Sequence, residues 1–119
     1  MKDFRDLVVW EKAHAVTLEI YKRTKTFPRE ELYSLTSQLR RAASSVPANI
    51  AEGCGKASNA DFAKYLQIAF GSANECEYHL LLSRDLDLLN ESDHAELERS
   101  VIEVKRMLAS LIAKVRTDR

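Results

Sequence analysis

The stretch LRRAASSVPANIAEGCGKAS, residues 39–58, constrains this chain most, because as a helix it has two faces to cover. At about 100° per residue, Leu35, Leu39, Ala43, Val46 and Ile50 form one apolar stripe, and Ser37, Arg41, Ser44, Ala48 and Ala51 line the opposite side. A solvated helix face ordinarily carries Lys and Glu. Small side chains at heptad-like spacing instead let another backbone come near. These five residues are therefore assigned to an interface with further copies of the chain, and a homo-oligomer is expected.

The 119 residues are enough for one domain, with 45% hydrophobic and 30% charged residues, three Gly and two Pro. That composition belongs to globular chains rather than disordered ones. Few breakers and no strand-like alternation point to an all-α fold. Lys plus Arg equals Asp plus Glu, 18 against 18, so no global attraction to polyanions exists and any nucleic-acid site must be a local patch. Residues 1–56 hold ten Lys/Arg and seven Asp/Glu, and residues 57–119 hold eight and eleven, giving +3 and −3. Such asymmetry can steer subunits onto one another, although a split this small is usually without consequence. Cys54 and Cys76 are too few for a zinc module or a disulfide framework. The charged first twenty residues lack a signal-peptide core, and no segment is apolar enough to span a bilayer. A cytoplasmic protein with no membrane partner is expected.

Hydrophobic periodicity divides the chain into four helices, at about 7–26, 34–54, 59–89 and 92–116, within a single domain spanning 1–119. The first buries Val9, Ala13, Val16 and Ile20 and stops at Phe27-Pro28, since the residue before a proline leaves the helical region. The second contains Pro47, which removes the hydrogen bond to the Ala43 carbonyl at a cost of about 3 kcal/mol. A kink is expected there, compensated by tertiary or quaternary packing. Gly53 and Gly55 offer a left-handed stop.

Ser58 and Asp61 form a capping box that opens the third helix, whose main stripe is Phe62, Leu66, Ala69, Ala73, Cys76 and Leu80. Phe70 and Tyr78 lie elsewhere on its circumference, so this helix too is expected to meet a neighbouring copy, and Gly71-Ser72 permits close backbone approach. The fourth carries Leu97, Val101, Val104, Leu108, Leu111 and Val115, with Arg99, Glu103 and Arg106 on its wet side. Short links between helices of similar length predict an antiparallel up-down-up-down bundle.

Bundles can hold di-iron sites through Glu-x-x-His pairs, and two matches occur, Glu11-Lys12-Ala13-His14 and Glu91-Ser92-Asp93-His94. Glu11 falls on a charged face, and the second match falls in the turn before helix four. Neither motif supports a metal site. No nucleophile elbow, dinucleotide fingerprint or Walker pattern occurs, so no catalytic residue, cofactor or small-molecule substrate is assigned. Arg40, Arg41 and Lys56 are the candidates for phosphate contact, Arg offering a planar fork of donors. The favoured alternative is that Arg40 and Arg41 pair with Glu75 and Glu77, which stand on an otherwise apolar stretch.

At these residues the chain resembles a known family. Val9-Trp10 with Ala13, Phe27-Pro28 with Glu31, Leu35-Thr36-Ser37-Gln38 before Arg40-Arg41-Ala42, Asn49-Ile50-Ala51-Glu52-Gly53, and Gly71-Ser72 with Glu75 and Glu77 resemble the four-helix proteins encoded in intervening sequences of bacterial large-subunit ribosomal RNA genes. The likeness spans essentially the whole chain. It implies a homopentameric ring and an association with RNA or a nucleoprotein partner. The chain is also similar to the accessory proteins of diversity-generating retroelements, which share this fold and pentamer and bind a reverse transcriptase and nucleic acid. Those relatives are markedly basic, and the neutral balance here weakens the transfer of RNA binding. A pure protein-protein assembly module is the alternative.

Overall fold

The computed structural model describes residues 2–118 as four helices: α1 (Val8–Arg23), α2 (Leu35–Cys54), α3 (Asn59–Asp85) and α4 (Glu91–Thr117). They run up-down-up-down, α1 packing on α2, α2 on α3, α3 on α4 and α4 back on α1, while the diagonal pairs share no extended contact. The result is a square bundle 47 Å long and about 20 Å across. The α1–α2 pair therefore forms one side and the α3–α4 pair the opposite side. Among the described residues no helix is long and apolar enough to cross a membrane.

The core follows the periodic stripes, with Ile20, Leu39, Ile50, Leu66, Leu80 and Leu108 fully enclosed. One register differs: Ile112 is buried and Leu111 only half-buried, since at 3.6 residues per turn the buried stripe falls between three and four residues beyond Leu108. Helix α1 is also shorter than its pattern. It ends at Arg23, and Thr24–Thr26 tighten into a 3₁₀ turn before Phe27 turns extended ahead of Pro28.

The expected end of the third helix at 89 is corrected to Asp85. Asp87 adopts φ 62°, the only positive φ among the described non-glycine residues. Around it Leu88 N donates to Ser83 O and Asp87 N to Arg84 O, both at 2.9 Å, which is a Schellman closure. Aspartate tolerates the left-handed region better than most residues. The expected left-handed stop at Gly53 and Gly55 is likewise absent: no described glycine has positive φ, and Gly55 sits at φ −85°. Gly53 serves packing instead, since a Cβ there would lie 3.0 Å from Phe62 Cδ1 and from Tyr65 Cβ.

Helix α2 continues unbroken through the buried Pro47. The orphaned Ala43 carbonyl receives a replacement donor from another helix. Thr17 Oγ1 of α1 lies 3.1 Å from Ala43 O and 2.8 Å from Ala13 O, sharing one proton between the two. A threonine on α1 thus supplies what the proline on α2 removed.

Candidate assembly and nucleic-acid surfaces

The small-residue side of α2 lies on the outside of the bundle. Arg41 and Ala48 are exposed, and Ser37, Ser44 and Ala51 are half-buried. Phe70 of α3 is partly buried between α3 and α4, with Lys105 Nζ 5.7 Å from its ring centre. It lines a groove with Gly71, Ala109, Ile112 and Ala113. Tyr78 is 57% exposed on the outer surface of α3. The seven interface candidates consequently form two separate patches, one on α2 and one on α3, rather than one.

Arg40 does not reach either predicted carboxylate. Its Nε donates to Thr24 Oγ1 at 2.8 Å and its Nη2 to Tyr21 O at 3.4 Å, while the guanidinium lies 4.8 Å from the Tyr21 ring centre. Thr24 Oγ1 in turn donates to Ile20 O at 2.7 Å. The cation therefore sits at the C-terminal end of α1, where a positive charge is favoured. Sequence reasoning missed this role because the partner is a backbone end rather than an acidic side chain.

The predicted mates are committed elsewhere, so the ion-pair expectation is corrected within the chain. Glu77 binds Lys105 at 2.8 Å, and Glu75 Oε2 lies 3.1 Å from Nε2 of the buried His79. Arg41 and Glu75 line one shallow groove with Gln38, Ala42, Ser45 and Ser72. Among the described residues Arg41 makes no ion pair. Its floor is a polar seam in which Ser45 and Ser72 hydroxyls lie 2.9 Å apart and Asn49 Nδ2 donates to Ser45 O at 2.8 Å.

Lys56 lies 3.9 Å from Glu52 and 5.0 Å from the Tyr65 ring centre. It stands fifteen residues beyond Arg41, roughly 22 Å along helix geometry. Arg40, Arg41 and Lys56 are thus one inward-bound cation, one exposed cation and one at the far end of α2, not a single phosphate patch.

The histidine motifs end apart. His14 is exposed and stacks on Trp10 at 4.9 Å, whereas His94 lies in the first turn of α4, not in a preceding turn, and is buried. Among the described residues no three His, Cys, Asp or Glu side chains are grouped to hold a metal ion. Burial pushes the Cys76 thiol up to about 12, with Glu75 and Glu77 adding to the effect, and burial raises Cys54 as well.

Fold and surface together define an all-α, up-down four-helix bundle protein whose most distinctive exterior is a small-residue helix side. Residues 5–110 match the 23S rRNA-intervening sequence protein family, and the chain belongs to it. Among solved structures it is similar to a protein of unknown function from the S23 ribosomal protein family of Bacteroides thetaiotaomicron VPI-5482. The identity is 29%, the match covers 88% of this chain and 98% of that one, and the TM-score is 0.82. No curated protein matches the chain.

Proposed function

We propose that this protein is a non-catalytic assembly module that forms a homo-oligomeric ring, pentameric as the family resemblance implies, through the outer side of α2. The observation that carries this reading is that side itself. Ser37, Ser44, Ala48 and Ala51 leave an outer helix flank of small side chains on which Arg41 is the one long polar residue. A bend of α2 at Pro47 belongs to the same proposal, as a means of fitting that flank to a neighbour.

Binding of structured RNA or a nucleoprotein is a second reading, favoured by one observation, the exposed Arg41, which makes no ion pair among the described residues. Arg40 does not support it, because its donors are already engaged with α1.

Sedimentation velocity of the purified chain is the test. The wild type is expected to run above one chain mass, and Ala48→Glu to run as a folded monomer, since a charge would enter a tightly packed contact. Unchanged mass for Ala48→Glu overturns the assignment of this flank. RNA affinity that falls steeply with salt, and drops on Arg41→Ala with mass unchanged, would move the second reading ahead.

A further inference from the structure

The seam between α2 and α3 holds hydrogen-bonding capacity that the protomer does not use. It opens outward as a groove of about 400 Å³, a size that suits a small molecule. The buried Ala42 and the half-buried Ser45 and Ser72 make its floor, and the exposed Gln38, Arg41 and Glu75 make its rim.

The two floor hydroxyls carry two protons and share one contact. Asn49 Nδ2 donates to Ser45 Oγ at 2.9 Å, and the Ser45–Ser72 contact, also 2.9 Å, takes a single proton. Whichever serine donates, the other keeps a proton with no acceptor among the described residues. On the rim, Arg41 and Glu75 bring opposite charges to one space without closing to ion-pair distance.

Glu75 is anchored from below instead. Residues 72 and 79 are seven apart and share the side of α3 that packs on α2, and His79 there is 6% exposed, its Nε2 3.1 Å from Glu75 Oε2. An ionised carboxylate only accepts, so Nε2 donates and fixes that oxygen, leaving Oε1 without a partner among the described residues. The other ring nitrogen, Nδ1, is buried and unpartnered. Such a group is costly to keep, and a carboxylate serving only to hydrate the surface would not require it.

We propose that this groove binds a small zwitterion, a molecule whose carboxylate and ammonium are separated by one to three carbons. The guanidinium fork of Arg41 matches the two carboxylate oxygens, the uncommitted serine proton adds a third donor, and Glu75 Oε1 receives the ammonium. An anion alone meets the charge of Glu75 and a cation alone meets that of Arg41, so only a ligand with both signs suits both walls. A nucleic-acid strand is disfavoured for the same reason, since its phosphates offer Glu75 no cation. The site goes beyond the assembly reading: Arg41 borders the small-residue flank, whereas Ser45, Ser72 and Glu75 lie outside it.

The test titrates the full-length, nitrogen-15-labelled chain with L-alanine, β-alanine and 4-aminobutanoate, following the amides of Ser45 and Ser72 and the side-chain amides of Gln38 and Asn49 by NMR. At least one zwitterion is expected to bind with a Kd of about 1 mM through its two charge-assisted contacts. Its N-acetyl and carboxamide derivatives, each lacking one charge, should bind about tenfold more weakly or worse. Glu75→Gln should lose the zwitterion yet hold the N-acetyl form at least as tightly as the wild type does, and Arg41→Gln should do the same for the carboxamide. Sedimentation velocity on the same samples reads mass, and circular dichroism verifies folding.

A wild type that assembles and responds to none of the three zwitterions overturns the site and leaves the assembly reading standing. Equal binding of a zwitterion and its two derivatives, or tighter binding of the N-acetyl form by the wild type, also overturns it, the latter in favour of a simple anion site. Unchanged affinities in both variants remove Arg41 and Glu75 as its walls. The derivative series on the wild type decides the matter even where a variant fails to fold.

Discussion

Thr17→Val tests whether the threonine on α1 is what allows Pro47 inside α2. Valine keeps the shape and β-branching of threonine but removes the hydroxyl that lies 3.1 Å from Ala43 O. That carbonyl has no helical N–H because residue 47 is proline. Leaving a buried acceptor unpaired costs about 1–3 kcal/mol. The Ala13 carbonyl, 2.8 Å from the same hydroxyl, still has its own helical partner and adds little. With unfolding entropy of roughly 2.1 cal/mol/K per residue, a chain of this length loses about 4 °C in Tm per kcal/mol, so a fall of roughly 4–12 °C is expected. Assembly makes Tm concentration-dependent, so all variants are compared at one protein concentration. The decisive control is Pro47→Ala, which returns an N–H to α2 and lets Ala43 O regain its helical bond. In that background Thr17→Val should cost no more than about 0.5 kcal/mol, giving a coupling of about 0.5–2.5 kcal/mol between two residues thirty positions apart. Equal costs in both backgrounds would refute the compensation.

The remaining expectations are simpler. Arg40→Ala should lower stability by about 1–2 kcal/mol through loss of its hydrogen bonds and its stacking on Tyr21, seen as an earlier urea midpoint, and Arg40→Lys should recover only part because it lacks the fork. Gly71→Ala should raise the stability of the isolated protomer by about 0.5–1 kcal/mol while weakening assembly, and sedimentation at unchanged mass would remove Gly71 from the contact. For Cys76 the sign is set by burial: the unfolded thiol ionises near about 8.5, whereas the native thiol holds its proton to about 12. Above the lower value the unfolded state binds fewer protons, so stability falls with rising pH by about 1.4 kcal/mol per unit. Cys54 acts in the same direction, and Cys76→Ala should flatten the alkaline slope measured by urea unfolding at pH 8–11.

Helix positions were legible because the apolar stripes of α2, α3 and α4 repeat at helical spacing, and the bundle buries nearly all of them. The helix ends were less so, because end-forming chemistry is not tied to one residue type. Gly53 and Gly55 offered the familiar left-handed stop and neither adopts it, whereas Asp87 does. The reason Gly53 is small lies in Phe62 and Tyr65, nine and twelve residues away and across a helix pair. A gap left by one residue and filled from another helix, as with Pro47 and Thr17, has no signature in local spacing at all.

The site was legible in outline and not in its pairings. An Arg-Arg sequence reads the same whether its guanidiniums meet phosphate, carboxylate or a helix end, and only the packing of α1 on α2 assigns Arg40 to the last of these. The charge split between chain halves behaves differently. In sequence it is three charges spread over sixty residues, too weak to carry weight. Folding into a square bundle places the halves on opposite sides, and helix polarity brings the α1–α2 and α3–α4 connections to one end. There Arg23 of the first half pairs with Asp93 and Glu96 of the second, both at 2.8 Å, a pairing across seventy residues that only the topology brings together.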